Sequence, residues 1–404
     1  MKVLQINTVC GTGSTGRIAT DIHKILLDEG HESYIAYGRD LPKNCNNAIR
    51  IGSKVDNYTH ALKTRVFDRH GFGSVHATHR FIEKVREIDP DIIHLHNIHG
   101  YYVNIEILFN YLKEANKPVV WTLHDCWSFT GHCAYFDYVG CEKWKTGCYE
   151  CPQKKSYPAS FLFDGSESNY LNKKEIFNGL KNMSIVTPSN WLKRMVEQSF
   201  LSKYAVHVIN NGIDLNTFFP RDSYFSEKFN IQDKKIILGV ANVWEERKGF
   251  STFLELSRLI DDNYIIVLIG LSEKQIELLP NNIIGIRRTE NIEELAKWYS
   301  ISDVCANPSV EETFGLVTVE AMACGTPVVV YNATASPELV DEKVGIVVEK
   351  GRVDLFYKAI DDILNKERSK YEENCIRKVH ENFDKKNTNK AYVDLYHLVV
   401  SNNE

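Results

Sequence analysis

The strongest constraint on this chain is an alternation of short apolar runs with longer amphipathic ones, and the alternation occurs twice. In the first half KVLQIN, YIAYG, DIIHLHN and PVVWTLH are separated by stretches such as RIATDIHKILLDEGH and EILFNYLKEAN. Such alternation predicts βα units and a parallel sheet covered by helices. The turn-rich stretch NNGIDLNTFFPRDS interrupts it, and the pattern restarts with KKIILGVAN, FSTFLELSRLI, YIIVLIG, ELAKWYSI, DVCANPS and PVVVY. A chain of 404 residues is long enough for two cores, since single cores stop growing well before that length. The Asn, Gly and Pro punctuation from Asn210 to Ser223 marks the linker, so domains are expected at 1–214 and 215–380. The region from Val353 to Val399 is helical in pattern, with Leu355, Ile360, Ile363 and Leu364 on one face and Tyr392, Leu395 and Leu398 on another.

With 43% hydrophobic and 25% charged residues, the composition is that of a globular enzyme. A formal net charge of −5 gives no global reason to expect nucleic acid as a partner, so any bound anion must meet a local patch. The N-terminus MKVLQINTVCGTG reads as a first core strand and not as a signal peptide. No stretch approaches the roughly 20 apolar residues that span a bilayer. A cytoplasmic location is expected, with room for peripheral contact at the inner face of the membrane. Lys54, Lys63, Arg65, Arg69 and Arg80 make the region after the second strand locally basic, although a solvated face explains them equally well.

The chemistry concentrates in the second half. NPSVEETFGLVTVEAMACGTP follows the strand-like DVCAN, and loops beyond the carboxyl ends of parallel strands are where ligands bind. A helix over Gly315–Ala323 leaves Glu312 in the loop before it and Glu320 a turn or more inside. One carboxylate can then accept from sugar hydroxyls and the other from a ribose. The amides of Phe314, Gly315, Leu316 and Val317 lie at the positive helix end, where a diphosphate is favoured. Upstream, NVWEERKGF puts Arg247 and Lys248 at another strand end. Two adjacent cations there would neutralise a departing nucleotide diphosphate. An isolated pair of either kind would more often be solvated surface; the shared position at strand ends is what favours a site.

These segments resemble the retaining glycosyltransferases of family four. The resemblance rests on the glycine loop and Gly30-His31, PDIIHLHN from Pro90, TLHD from Thr122, TPSNWL from Thr187, INNGIDLNTFFP from Ile209, ERKG from Glu246, and Glu312 with Glu320 before AMACGTPVV. It implies the GT-B fold, two facing Rossmann-like domains with a C-terminal helix, residues 381–404, crossing back to the first. It implies that Glu312 contacts the donor sugar, Glu320 the nucleoside ribose, and Arg247 with Lys248 the diphosphate. The family commonly has EGFG where this chain has ETFG, so Thr313 alters the sugar pocket without changing the carboxylate spacing. The resemblance also implies that the leaving phosphate assists attack on the same face, giving retention without an enzymic nucleophile.

In the first half, GTGSTGR matches G-x-G-x-x-G at Gly11, Gly13 and Gly16. The acidic residue that a dinucleotide site needs about 20 positions on is not convincing. Gly13 and Gly16 more plausibly let backbone approach a donor phosphate or the acceptor, and Arg17 adds a phosphate contact or covers the helix. His124 and Asp125 end the strand VVWTLHD. His124 is expected to bond the transferred sugar or acceptor and Asp125 to orient it, against the plainer reading of a histidine satisfied in the core. His94 and His96 share one sheet face, with His99 beyond; lining of the acceptor cleft is one reading, and ordinary structural roles are slightly preferred. The one Asp-x-Asp, Asp89 with Asp91, precedes its strand, at the end away from ligands, so catalysis is expected to need no divalent metal.

The segment CWSFTGHCAYFDYVGCEKWKTGCYECP, within a loop at 126–152, is the most unusual. Cys133, Cys141, Cys148 and Cys151 are separated by seven, six and two residues. Four thiolates in a loop with little core of its own suit a structural zinc, with His132 and Cys126 as substitutes; four reduced cysteines are the alternative. The function expected is transfer of a hexosyl unit from a UDP- or GDP-sugar to a glycan or lipid-linked acceptor in bacterial surface polysaccharide assembly. Two other readings are a nucleotide-sugar epimerase or sugar-phosphate glycosyltransferase of the same fold, and a binding module without turnover.

Overall fold

A computed structural model of the chain describes residues 1–366 and 369–402. Chain contacts divide it into two units, one of Met1–Asn210 with the chain from Thr388 onward, the other of Asn211–Asn387. In the first, the strands among the described residues are β1 (Lys2–Asn7), β2 (Glu32–Tyr37), β3 (Ala48–Arg50), β4 (Ile92–Leu95), β5 (Val119–Thr122), β6 (Met183–Thr187) and β7 (Ala205–Val208). They form one sheet in the order β3-β2-β1-β4-β5-β6-β7. In the second, β8 (Lys235–Val240), β9 (Tyr264–Ile269), β10 (Ile283–Ile286), β11 (Val304–Asn307), β12 (Val328–Tyr331) and β13 (Gly345–Val348) run in the order β10-β9-β8-β11-β12-β13.

The paired strands in both sheets are parallel. Ile92, Ile93 and Leu95 of β4, and all of Val119–Thr122, are buried, as expected where helices cover both faces of a sheet. The chain reverses direction across each sheet at one place, between β1 and β4 and between β8 and β11. In such sheets the diverging loops beyond the carboxyl ends at that point open a crevice. Two Rossmann-like domains are therefore present, each with its own switch point.

The helix Val353–Leu364 buries Phe356, Ala359, Ile360 and Ile363. Leu355, expected on its apolar face, is instead exposed, because the helix presents the 356, 359, 360 and 363 stripe to the core. The last helix, Lys385–Ser401, places Tyr392, Val393, Leu395 and Tyr396 in one cluster with Val3, Ile92, Val120 and Val186 of the first sheet. Leu398, expected beside them, is exposed. Two polar contacts also fix this helix: Tyr396 Oη lies 2.6 Å from His94 Nδ1, and Thr122 Oγ1 lies 3.3 Å from Tyr392 Oη. Among the described residues no helix is long and apolar enough to cross a membrane.

Candidate active site

In the second unit the loops that leave β8 and β11 are stitched together at the switch point. The amide of Val310 donates to the Arg247 carbonyl at 2.8 Å, and Ser309 Oγ donates to the same oxygen at 3.2 Å. Gly249 makes this approach feasible, with φ of 75° and a backbone so close that a Cβ would lie 2.4 Å from the Pro308 carbonyl oxygen. The result brings Lys248 to Glu312: Nζ donates to Oε1 at 2.5 Å, and the two side chains are only 21% and 14% exposed. Arg247 lies alongside, its Nε 3.1 Å from Glu245 Oε2 and its Nη1 donating to the Glu311 carbonyl at 3.3 Å.

Burial by itself would push the Glu312 carboxyl up, but the Lys248 ammonium, with Arg247 beyond it, holds it below the usual glutamate range. Glu312 is thus an ionised acceptor in a poorly solvated place. Its backbone is anchored by a residue that sequence reasoning missed, Thr334, whose Oγ1 accepts from the Glu312 amide at 2.8 Å. A threonine 22 positions downstream carries no sequence signal that would single it out.

The helix after this loop runs Leu316–Ala323, preceded by Gly315 at φ 107°. Leu316 and Val317 open its first turn, whose amides have no carbonyl partner within the helix. Phe314 contributes its backbone, while its ring is buried against Phe383 at 5.8 Å. Glu320 lies inside the helix, where the buried Tyr299 hydroxyl donates to its Oε2 at 3.0 Å. Burial and then the Glu320 charge push the tyrosine well above its ordinary value, so it remains a donor. Tyr299 is a second residue missed from sequence, since its own apolar surroundings read only as core.

In the first unit Gly13 and Gly16 both fall in the first turn of the helix Gly13–Asp28, but they do different work. A Cβ on Gly16 would come within 3.0 Å of Val9 Cγ2 and 3.1 Å of the Gly11 amide nitrogen, whereas Gly13 has open space around it. Gly16 therefore serves close packing, and Gly13 faces open space. Thr12, at the N-cap position, makes no side-chain cap, which leaves the first amides of this helix unclaimed by it. Arg17 is exposed on the same helix.

His124 follows β5 at the end of a hydrogen-bond chain. Gln5 Nε2 donates to the Ala19 carbonyl at 2.9 Å, which leaves Gln5 Oε1 to accept from His96 Nε2 at 3.0 Å. His96 Nδ1 must then be the acceptor in a neutral ring, and it accepts from His124 Nε2 at 3.2 Å. The chain assigns the proton of neutral His124 to Nε2. Burial pushes His124 down to about 4 and His96 well below its ordinary value, so neutral rings are the stable forms.

Asp125 is gripped elsewhere than expected. Its Oδ2 pairs with His99 Nε2 at 2.9 Å and its Oδ1 accepts from the Trp127 amide at 2.9 Å, while His99 Nδ1 meets the Tyr157 hydroxyl at 3.0 Å. His96 and His99, taken from sequence as structural residues, are thus the partners that position His124 and Asp125. Asp89 and Asp91 are engaged at the opposite end of β4, with Lys117 at 3.0 Å and the Lys2 amide at 2.7 Å.

Cys133, Cys141, Cys148 and Cys151 line one small cavity with His132. His132 Nδ1 is 2.6 Å from the buried Asp68 Oδ1, and its Nε2 is buried without a hydrogen-bond partner. All four cysteines are free thiols, and among the described residues no three His, Cys, Asp or Glu side chains stand as a metal-holding group. Lys173 is buried nearby, its side-chain nitrogen donating to the Trp127 and Thr130 carbonyls at 2.8 and 3.1 Å.

The profile of glycosyltransferase family 4 matches residues 15–217, and that of glycosyl transferases group 1 matches residues 222–381. The putative colanic acid biosynthesis glycosyl transferase WcaC of Escherichia coli strain K12 is 25% identical over 370 residues, covering 87% of this chain and 88% of its own. Among solved structures, sucrose-phosphate synthase from Thermosynechococcus elongatus superposes with a TM-score of 0.75 at 17% identity over 99% of both chains. Anabaena HepE in complex with UDP superposes with a TM-score of 0.69 at 16% identity, over 98% of this chain and 100% of its own. A second HepE structure holds UDP-glucose, with a TM-score of 0.68 at 16% identity over 98% and 99% of the two chains. With the profiles spanning both Rossmann-like domains and the neighbours sharing the GT-B fold, the chain belongs to glycosyltransferase family 4.

Proposed function

We propose that this glycosyltransferase moves a hexosyl unit from a UDP- or GDP-sugar, with retention, onto a glycan or lipid-linked acceptor in bacterial surface polysaccharide assembly. The observation that carries the donor half is the Lys248–Glu312 pair at 2.5 Å, set at the switch point and followed by an open helix N-terminus. On this reading Glu312 accepts from hydroxyls of the transferred sugar and Glu320 from the ribose. The amides of Gly315, Leu316 and Val317 and the charges of Arg247 and Lys248 take the diphosphate. UDP and UDP-glucose in HepE support a nucleotide-sugar donor, and the similarity to WcaC supports a polysaccharide product.

Two cations already supply positive charge where the leaving diphosphate develops its own, which supports metal-independent catalysis. As the glycosidic bond to the diphosphate breaks, an acceptor hydroxyl forms its bond on the same face and passes its proton to the leaving phosphate oxygen. On this reading the backbone at Gly13, with Gly16 packed behind it, approaches a donor phosphate or the acceptor, and Arg17, His124 and Asp125 serve the acceptor side. His124 then bonds the transferred sugar or the acceptor. The cysteine cavity is read as a structural zinc site, in which the ion would draw the four thiolates together and His132 Nε2 offers a substitute donor. Peripheral contact with the inner face of a membrane accompanies a lipid-linked acceptor.

The test is a donor screen by thermal stabilisation followed by turnover. A UDP- or GDP-sugar should raise the melting temperature and be slowly hydrolysed without acceptor. Glu312→Gln should lower turnover far more than UDP affinity. Epimerised donor in the absence of acceptor, or a Glu312→Gln variant with full activity, would refute the assignment.

A further inference from the structure

Cys10 and Cys45 meet in the first unit without a part in the chemistry above. Cys10 lies in the turn after β1 and Cys45 in the loop between β2 and β3. Backbone contacts bring the two stretches together. The Lys43 amide donates to the Cys10 carbonyl at 3.1 Å, and a Cβ on Gly11, at φ 72°, would lie 2.2 Å from the Lys43 carbonyl oxygen. Asn44, just before Cys45, takes the left-handed conformation at φ 55°, which is uncommon for a residue other than glycine. Beyond Cys45 the Ile35 amide donates to the Asn47 carbonyl at 3.1 Å, and Asn47 Nδ2 donates to the Ser33 carbonyl at 3.1 Å. Cys45 is thus fixed from both sides, and it packs on the small cluster of Cys10, Ala19, Ile35 and Tyr37.

The two thiols are unequal in a way that packing alone does not require. Cys10 is fully buried, whereas Cys45 is only partly buried, with an exposed asparagine on either side. The Cys45 sulfur accepts from the Cys10 thiol, from the His23 imidazole and from the Asn47 amide. His23 is itself buried, its Nδ1 2.8 Å from Ser33 Oγ. The Cys10 thiol, with His23, holds Cys45 well below the ordinary thiol range although burial opposes them. The same hydrogen bond, with burial, pushes Cys10 up. A cysteine that only fills a core needs none of these donors. An accessible sulfur that carries negative charge, with a protonated thiol in contact behind it, is the arrangement of an attacking and a resolving cysteine.

We propose that Cys10 and Cys45 form a peroxide-reactive dithiol that closes to a reversible disulfide, with Cys45 attacking and Cys10 resolving. The Cys45 thiolate bonds to one oxygen of hydrogen peroxide as the O–O bond breaks. The departing hydroxide takes up the proton that Cys45 gave away, leaving a sulfenic acid and one water. The Cys10 sulfur then bonds to the Cys45 sulfur, the S–O bond breaks, and the hydroxide leaves with the Cys10 proton as a second water. The two cysteines lose two electrons and the peroxide gains two. Both sulfurs belong to turns and not to strands or helices, so they can close from hydrogen-bond contact to the roughly 2 Å of an S–S bond while the β1–β2 ladder stays intact. The bond would tie the glycine loop before the helix Gly13–Asp28 to the loop that follows β2. A dithiol donor reopens the pair by exchange. The inference does not rest on the donor or acceptor proposed above, and its test uses neither, so it can fail while the transferase reading stands.

The experiment treats the full chain with hydrogen peroxide, blocks the remaining thiols with iodoacetamide and maps the peptides by mass spectrometry without reduction. A peptide pair joined through Cys10 and Cys45 should accumulate, and dithiothreitol should separate it. In the untreated chain at pH 6, iodoacetamide should label Cys45 at least about tenfold faster than the similarly half-buried Cys141. Cys10→Ser, which keeps a hydroxyl donor beside Cys45, should stop at a Cys45 sulfenic acid that dimedone traps. The mapping and the labelling use the wild-type chain, so a poorly folded variant leaves the test standing. Cys10 and Cys45 recovered as separate alkylated peptides after peroxide, or Cys45 and Cys141 labelled at equal rates, would overturn the inference. A Cys45 disulfide formed only between two chains would remove Cys10 from the resolving role and overturn it as well.

Discussion

Lys248→Met tests the centre of the proposed donor site without any ligand. In the native chain the ammonium sits 2.5 Å from a carboxylate that is only 14% exposed. Removing it leaves Glu312 buried, charged and short of its main partner. Breaking one side of a buried ion pair typically costs about 3–5 kcal/mol, and the lower end is expected here because Arg247 remains nearby. The sign of the pH dependence follows from the shift. Glu312 is held below its ordinary value, so the pair stabilises the fold fully above the unfolded glutamate value of about 4.3 and is lost as pH falls through the folded value. In Lys248→Met burial is opposed only by Arg247 and the Ser309 hydroxyl, and the Glu312 value rises. The deficit should be largest near neutral or alkaline pH and shrink as the carboxyl takes up a proton. Urea unfolding of wild type, Lys248→Met, Glu312→Gln and the double variant gives the coupling energy, with the buried Trp244 and Trp298 as fluorescent reporters of this domain. A coupling of at least about 2 kcal/mol is expected. A coupling below about 0.5 kcal/mol, the scale of ordinary additivity error, or a deficit independent of pH, would refute the reasoning.

His96→Phe should remove the acceptor that holds the His124 proton on Nε2 and lower kcat by roughly fivefold or more, the rate equivalent of about 1 kcal/mol, with donor KM nearly unchanged. Because burial holds His124 down to about 4, its neutral form contributes stability above the ordinary value near 6.5 that is lost as pH falls toward about 4, which an acid unfolding series on His124→Phe would check. For the cysteine cavity, metal analysis of purified protein should find about one zinc per chain, and chelation should lower the melting temperature; metal-free protein with an unchanged melting temperature would refute the zinc reading.

What the linear chain determined is whatever depends on neighbours in sequence. Alternating apolar and amphipathic runs specified two parallel sheets, because buried strands and covering helices each leave a local pattern. The spacing of Glu312 and Glu320 placed one before a helix and one inside it, because helix periodicity is local. Tertiary structure decided the partners. Lys248 reaches Glu312 across 64 positions, Tyr299 holds Glu320, and Asp125 grips His99 because the turns beyond β4 and β5 converge. The helix Lys54–Phe67 makes the same point in reverse: Val55, Tyr58 and Leu62 are exposed while His60 and Thr64 are buried, with their polar atoms hydrogen-bonded. Periodicity reports that a helix has two faces, and only the satisfaction of buried polar groups settles which one turns inward.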